Sequence, residues 1–64
     1  MPTQSGNSEV YLEFHAVGRQ VKVTAIDAAT GIEVTVMGPA TASQADLQTL
    51  AVRKLKRRLE QLQG

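Results

Sequence analysis

The chain has 64 residues, a net charge of +1, one histidine and no cysteine, so its length allows one small domain. Disulfides are excluded, and no Cys/His set is present from which a structural zinc site could form. A domain of this size buries only about 60% of the surface that its unfolded chain exposes. Oligomerisation is the remaining common way to stabilise so small a core, and self-association is therefore expected.

The apolar segments of the chain are short. No basic segment followed by an apolar run opens the sequence, so no signal peptide is predicted. No apolar run approaches the roughly 20 residues of a membrane-spanning helix. We therefore expect a cytoplasmic protein that does not associate with a membrane.

The first eight residues, MPTQSGNS, are polar and include Met1 as their only large apolar side chain. Such a segment has almost nothing to bury, and residues 1–8 are predicted to be disordered. The rest of the chain, residues 9–64, is predicted to form a single domain.

Alternation of apolar and polar side chains indicates a first strand that begins at Glu9. Gly18-Arg19 then fits a two-residue type II′ turn, because glycine readily adopts the positive φ of the first central position. This turn sets Phe14 opposite Val23, so the apolar residues of both strands share one face.

The second strand ends at Ile26, and the polar and small residues Asp27–Gly31 indicate the next turn. Pairing Ile26 with Gly31 places Val23 beside Val34 and keeps the apolar residues of three strands on one face. Gly38-Pro39 ends the third strand, since proline has no amide to donate to a ladder. The three strands therefore form an antiparallel meander with the second strand in the centre.

A long helix follows the meander. Ser43-x-x-Asp46 has the form of a capping box, and Thr41 with Gln44 fits the same pattern, so either pair could mark the helix start. An apolar stripe runs along the helix: Leu47, Ala51, Val52, Leu55, Leu59 and Leu62. We predict an α+β fold of order β-β-β-α, with one C-terminal helix packed on one face of the sheet.

The helix is longer than the sheet that it covers. A helix from Ser43 to Leu62 is about 30 Å long, whereas a seven-residue strand spans about 23 Å. Leu59 and Leu62 therefore overhang the sheet, and we predict a homodimer in which they pack on a second subunit. The outer third strand, with Val34 and Val36, is a second candidate for the dimer or partner surface, unless the loop over residues 38–42 shields its edge.

The sequence offers little for catalysis. His15 falls on the outer sheet face, where the predicted pairing puts Lys22 and Thr35 beside it, an arrangement typical of a solvated strand. Glu13 and Glu33 lie on the same face, separated by the central strand. No Gly-rich phosphate loop is present. We expect no enzymatic activity, no metal and no cofactor.

The charges are distributed unevenly. Residues 1–52 hold two basic and five acidic residues, a net charge of −3, whereas residues 53–64 carry +4. The candidate basic patch consists of Arg53, Lys54, Lys56, Arg57 and Arg58. Cations near a helix C-terminus complement the helix dipole, and solvated helix faces are rich in them. Nucleic-acid binding through this patch is therefore the alternative function and not the favoured one.

The run EVYLEFHAVGRQVKVTAIDAATGIEVTVMGPA, followed by a leucine-rich basic helix, resembles a family of short bacterial domains of unknown function. The resemblance implies a small bacterial cytoplasmic protein of β-β-β-α order with no assigned activity. Together with the residues, it favours a non-enzymatic protein-interaction or structural module that self-associates and binds a protein partner whose identity the sequence does not give.

Overall fold

The structure, a computed structural model, describes residues 9–63. Its elements are β1 (Val10–Val17), β2 (Gln20–Asp27), β3 (Glu33–Pro39) and α1 (Gln44–Gln63). The strands form one antiparallel sheet in the order β1-β2-β3. The predicted α+β fold of order β-β-β-α is therefore confirmed. The prediction that residues 1–8 are disordered lies outside the described residues.

The first hairpin has the predicted register, with Phe14 opposite Val23 and Val17 opposite Gln20. Gly18 has a φ of +61°, whereas Arg19 does not have a positive φ. A type I′ turn requires positive φ at both central residues, so this combination of signs is that of a type II′ turn. Both the turn type and the register follow from the sequence.

The observed register of the second hairpin differs from the predicted register by two residues. Ala25 pairs with Val34 rather than Ile32, and Val23 pairs with Val36 rather than Val34. The reason is that Asp27 still belongs to the ladder, where its amide donates to the carbonyl of Ile32 at 2.8 Å. Because the shift is an even number of residues, every β3 side chain keeps its predicted face.

Asp27 fixes this turn with its side chain. Its Oδ2 accepts hydrogen bonds from the Thr30 amide at 2.9 Å and from Thr30 Oγ1 at 2.7 Å. Gly31 takes the left-handed conformation expected of it, with a φ of +77°. Asp27 itself is buried on the helix side of the sheet. A buried carboxylate that accepts two hydrogen bonds therefore decides where β2 ends and the loop begins.

We expect the substitution Asp27→Ala to destabilise the fold by about 1 kcal/mol, because the Thr30 amide and hydroxyl lose their common acceptor. Urea unfolding followed by circular dichroism measures the change. Asp27→Asn is the matched control, since its side-chain oxygen can still accept from Thr30. Equal stability of the alanine variant and the natural chain would contradict this role for Asp27.

The helix begins at Gln44, and Ser43 Oγ accepts a hydrogen bond from the Asp46 amide at 3.4 Å. Of the two predicted caps, Ser43 is therefore the one that forms. The predicted stripe supplies the helix side of the core. The buried hydrophobic side chains are Val23, Ala25, Val34, Leu47, Ala51 and Leu55.

The helix covers only two of the three strands, since its main contacts are with β2 and β3. An α-helix with its side chains is about 10–12 Å wide and strands are about 4.8 Å apart, so one helix covers about two strands. On β1, Leu12 is half-buried, whereas Phe14 and Ala16 are exposed. The apolar side of β1 thus extends beyond the helix.

Candidate functional site

The four residues predicted to form a dimer or partner surface do not lie together. Val34 is buried in the core, and Val36 is half-buried against it. Leu59 is also half-buried and packs against the core, whereas Leu62 is 57% exposed at the end of the helix. Only Leu62 therefore presents most of its side chain to solvent. The two valines face inward under the helix although β3 is an outer strand.

A different apolar surface lies on β1. We call it the open β1 face, and it consists of Leu12, Phe14 and Ala16. Phe14 is 36% exposed and Ala16 is exposed, with Leu12 half-buried beside them. Lys54, on one side of the apolar stripe, contacts β3, so the half-buried Val52 on the other side of the stripe is turned toward β1.

The backbone groups of the open β1 face point to the outer edge of the sheet. The Ala28 amide donates to the Glu9 carbonyl at 3.0 Å, so Glu9 and every second residue after it bond to β2. The intervening residues, including Leu12, Phe14 and Ala16, direct their amides and carbonyls away from β2. Within residues 9–63 no strand pairs with this edge. The same residues therefore offer apolar side chains and backbone hydrogen-bonding groups.

The outer edge of β3 is different because a helix side chain contacts it. Asp27 bonds to Ile32 and the Ala40 amide bonds to the Arg19 carbonyl at 2.8 Å, so the alternate residues Thr35 and Met37 direct their backbone groups outward. Lys54 Nζ donates to the Thr35 carbonyl at 2.8 Å.

Shielding of this edge by the loop over residues 38–42 is the alternative to pairing with a partner. The Ala40 amide of this loop bonds to the Arg19 carbonyl on the inner side of β3, whereas its Ala42 amide donates to the carbonyl of Pro39, the last residue of β3, at 2.9 Å. One of the outward carbonyls of β3, that of Thr35, is occupied by Lys54 from the helix. Charged side chains, lysine above all, are a common means of keeping an edge strand from pairing with another chain.

A cleft runs between this edge and the helix, and we call it the basic cleft. Its lining residues are Val36, Met37, Leu50, Arg53, Lys54, Lys56, Arg57 and Glu60. Four of these eight residues are cationic and one is anionic. Its apolar lining consists of the half-buried Val36 with Leu50 and Met37, which are each 50% exposed, and alternation places the Met37 side chain on the outer sheet face. Four members of the predicted basic patch thus line one cleft, and Arg58 lies outside it.

The shifted register also changes the outer sheet face. Lys22 lies between His15 and Met37. The prediction that Thr35 lies beside Lys22 is therefore wrong, and Thr35 pairs with Thr24. Glu33 pairs with Ile26 and therefore lies in a different row from Glu13. Among residues 9–63 no group of three His, Asp or Glu side chains is placed to hold a metal ion.

No helix formed by the described residues combines the length and the apolar character needed to cross a membrane. No curated protein and no solved structure matches the chain. A family model described as a domain of unknown function matches residues 7–62, which confirms the expected resemblance to a family without an assigned activity. The chain therefore belongs to the DUF6898 family, a domain of unknown function.

Proposed function

We propose that this chain is a self-associating, non-enzymatic protein-interaction module, and that two copies join through β1. One observation carries the proposal: the exposed side chains of Phe14 and Ala16 and the half-buried side chain of Leu12 are apolar, and the backbone groups of the same three residues point outward. An outer strand with both properties is a ready template for pairing with another chain. A second copy that pairs with it in the antiparallel direction would satisfy these groups on both subunits at once.

The size of the core supports a second copy as the occupant. Among residues 9–62, two of the six buried hydrophobic residues are alanines, and the largest fully buried side chains are Leu55 and Val23. Small domains with so little buried apolar surface are only marginally stable by themselves. Joining the open β1 faces of two subunits adds apolar burial where the helix does not reach, and it extends the same core.

The charges favour β1 over β3 as the joining strand. Pairing β3 with its own copy would bring two basic clefts together and would displace Lys54 from the Thr35 carbonyl in both subunits. Like charges that approach across an interface are unfavourable. The open β1 face carries no charged side chain, so self-association through it meets no such repulsion.

The alternative function, association with nucleic acid, is favoured by the four cations around the basic cleft. None of the eight described side chains that line the cleft is aromatic, so it offers no stacking platform for bases. Affinity for oligonucleotides that falls steeply with salt concentration would support this alternative. Catalysis remains unfavoured, and a cytoplasmic location remains a prediction.

The proposal is tested by removing one property of β1 at a time. Ala16→Pro deletes an amide that points away from β2, so we expect the subunit fold to persist while pairing with a second copy is lost. Ala16→Ser, which keeps the amide, is the matched control. Sedimentation velocity at about 50 μM should show a dimer for the natural chain and the serine variant, and a monomer for the proline variant.

A second pair of substitutions tests the side chains. Phe14→Ser removes the ring from the open β1 face and should also give a monomer, whereas Tyr11→Ser removes a ring that is 54% exposed on the opposite face of the same strand and should leave a dimer. Circular dichroism checks that each variant is folded. A monomeric natural chain, or a dimer that persists in both Ala16→Pro and Phe14→Ser, would contradict the proposal.

A further inference from the structure

We propose that the basic cleft binds an extended acidic peptide, which adds to β3 as a fourth strand and releases Lys54 from the Thr35 carbonyl. The inference names the partner class of the proposed interaction module and rests on that function. It does not require dimerisation, because the cleft lies at the edge of the sheet opposite to β1.

A peptide that adds to the sheet as a strand first requires outward main-chain groups, and β3 provides them. Thr35 and Met37 direct their amides and carbonyls away from β2. They are two residues apart, which is the spacing at which a strand bonds to an antiparallel neighbour. Peptides that add to a sheet edge obtain affinity from such main-chain groups and specificity from the side chains on either face. An added strand would lie along the opening of the cleft.

The peptide must secondly replace the contact between Lys54 and the Thr35 carbonyl, and it can supply a new partner to each of these two groups. The ammonium group now donates to a neutral backbone carbonyl at 2.8 Å in an exposed position. An amide of an incoming strand can take over the Thr35 carbonyl, and the ammonium then needs a new acceptor. A carboxylate on the same peptide is a better acceptor than a carbonyl, since hydrogen bonds between two charged groups are the stronger ones.

The lining of the cleft provides the third requirement, which is charge complementarity. Arg53, Lys54, Lys56 and Arg57 surround the opening, and among the described lining residues Glu60 is the one acidic side chain. A strand alternates its side chains between two faces. Acidic side chains on the helix side would meet these cations, and apolar side chains on the other side would meet Met37, which is 50% exposed on the outer sheet face. The expected ligand therefore alternates acidic and apolar residues.

The probe is a fluorescent octapeptide of alternating glutamate and valine, with the glutamine–valine octapeptide as its uncharged control. Fluorescence anisotropy at about 50 mM salt should show binding of the acidic peptide that weakens as salt rises. Arg57→Gln should reduce the affinity by about tenfold. Arg58→Gln makes the same change of charge one residue away, outside the cleft, and should leave the affinity nearly unchanged.

The strand geometry has its own test. Met37→Pro deletes an outward amide of β3 without removing a bond to β2, and it should abolish peptide binding, whereas Met37→Leu should retain it. Circular dichroism establishes that both variants are folded. Equal affinity for the acidic and the uncharged peptide, or unchanged binding in Arg57→Gln and Met37→Pro, would overturn the proposal.

Two further outcomes distinguish a peptide ligand from nucleic acid, and the cleft proposal from self-association through β1. Single-stranded or duplex oligonucleotides that bind more tightly than the acidic peptide, and lose affinity in Arg57→Gln, would overturn the peptide proposal in favour of nucleic acid. The Phe14→Ser variant should bind the acidic peptide as the natural chain does. Peptide binding by a monomeric chain would leave the cleft proposal standing while self-association through β1 fails.

Discussion

Leu55→Ala is expected to reduce the free energy of unfolding by about 2–5 kcal/mol. Leu55 is one of the two largest fully buried side chains in the described part of the chain, where it lies among six buried hydrophobic residues. Truncation loses its transfer free energy and leaves a cavity that the small neighbours Ala25 and Ala51 cannot fill. Since single domains are stable by only about 5–15 kcal/mol, the loss is a large fraction of the total.

Urea unfolding followed by the helical circular dichroism signal measures this effect, with total chain concentration held constant. Leu50→Ala is the matched control, because it makes the same truncation on the same helix at a side chain that is 50% exposed. We expect the control to change the stability by less than about 1 kcal/mol. Equal stability of the two variants would contradict the burial of Leu55 in the core.

Gly38→Val is expected to destabilise the fold at the upper end of about 1–3 kcal/mol through overpacking. Gly38 does not have a positive φ, so backbone strain is not the reason. A Cβ at this position would collide with the side chain of Leu47, which is buried with 4% exposure. The absence of a side chain on β3 thus allows the first turns of the helix to approach the sheet.

A double-mutant cycle checks this contact. Leu47→Ala destabilises the fold by itself, because it empties part of the core, but it also makes room for the valine side chain. The double variant should therefore be more stable than the sum of the two single changes implies, by about 0.5–3 kcal/mol. Strict additivity in thermal or urea unfolding would show that position 38 and Leu47 do not compete for the same space.

The first hairpin could be predicted in full from the sequence. A two-residue turn at Gly18-Arg19 leaves one register in which the apolar residues of both strands share a face. For the second hairpin, the sequence predicts which face of the sheet each side chain lies on, but not the register. Its loop allows two registers that differ by two residues, and alternation cannot distinguish between them. The hydrogen bonds from Thr30 to the Asp27 carboxylate decide it, and those depend on three-dimensional geometry.

The surfaces were harder to predict than the fold. The helical wheel gives the apolar stripe but not its lateral position, so it does not show that the helix covers β2 and β3 and leaves Phe14 exposed. The outer position of their strand predicts Val34 and Val36 as a partner surface, although alternation places their side chains beneath the helix. The contact between Lys54 and the Thr35 carbonyl joins residues 19 positions apart, and no local pattern signals it.

Amide hydrogen exchange of the residues of β1 tests self-association through this strand most directly. The amides of Glu13 and His15 point toward β2 and should be protected at every concentration. The amides of Leu12, Phe14 and Ala16 point to the outer edge, and in a dimer joined through β1 they become protected as the concentration rises. Exchange of these three at the unprotected rate, while Glu13 and His15 stay protected, would contradict the account.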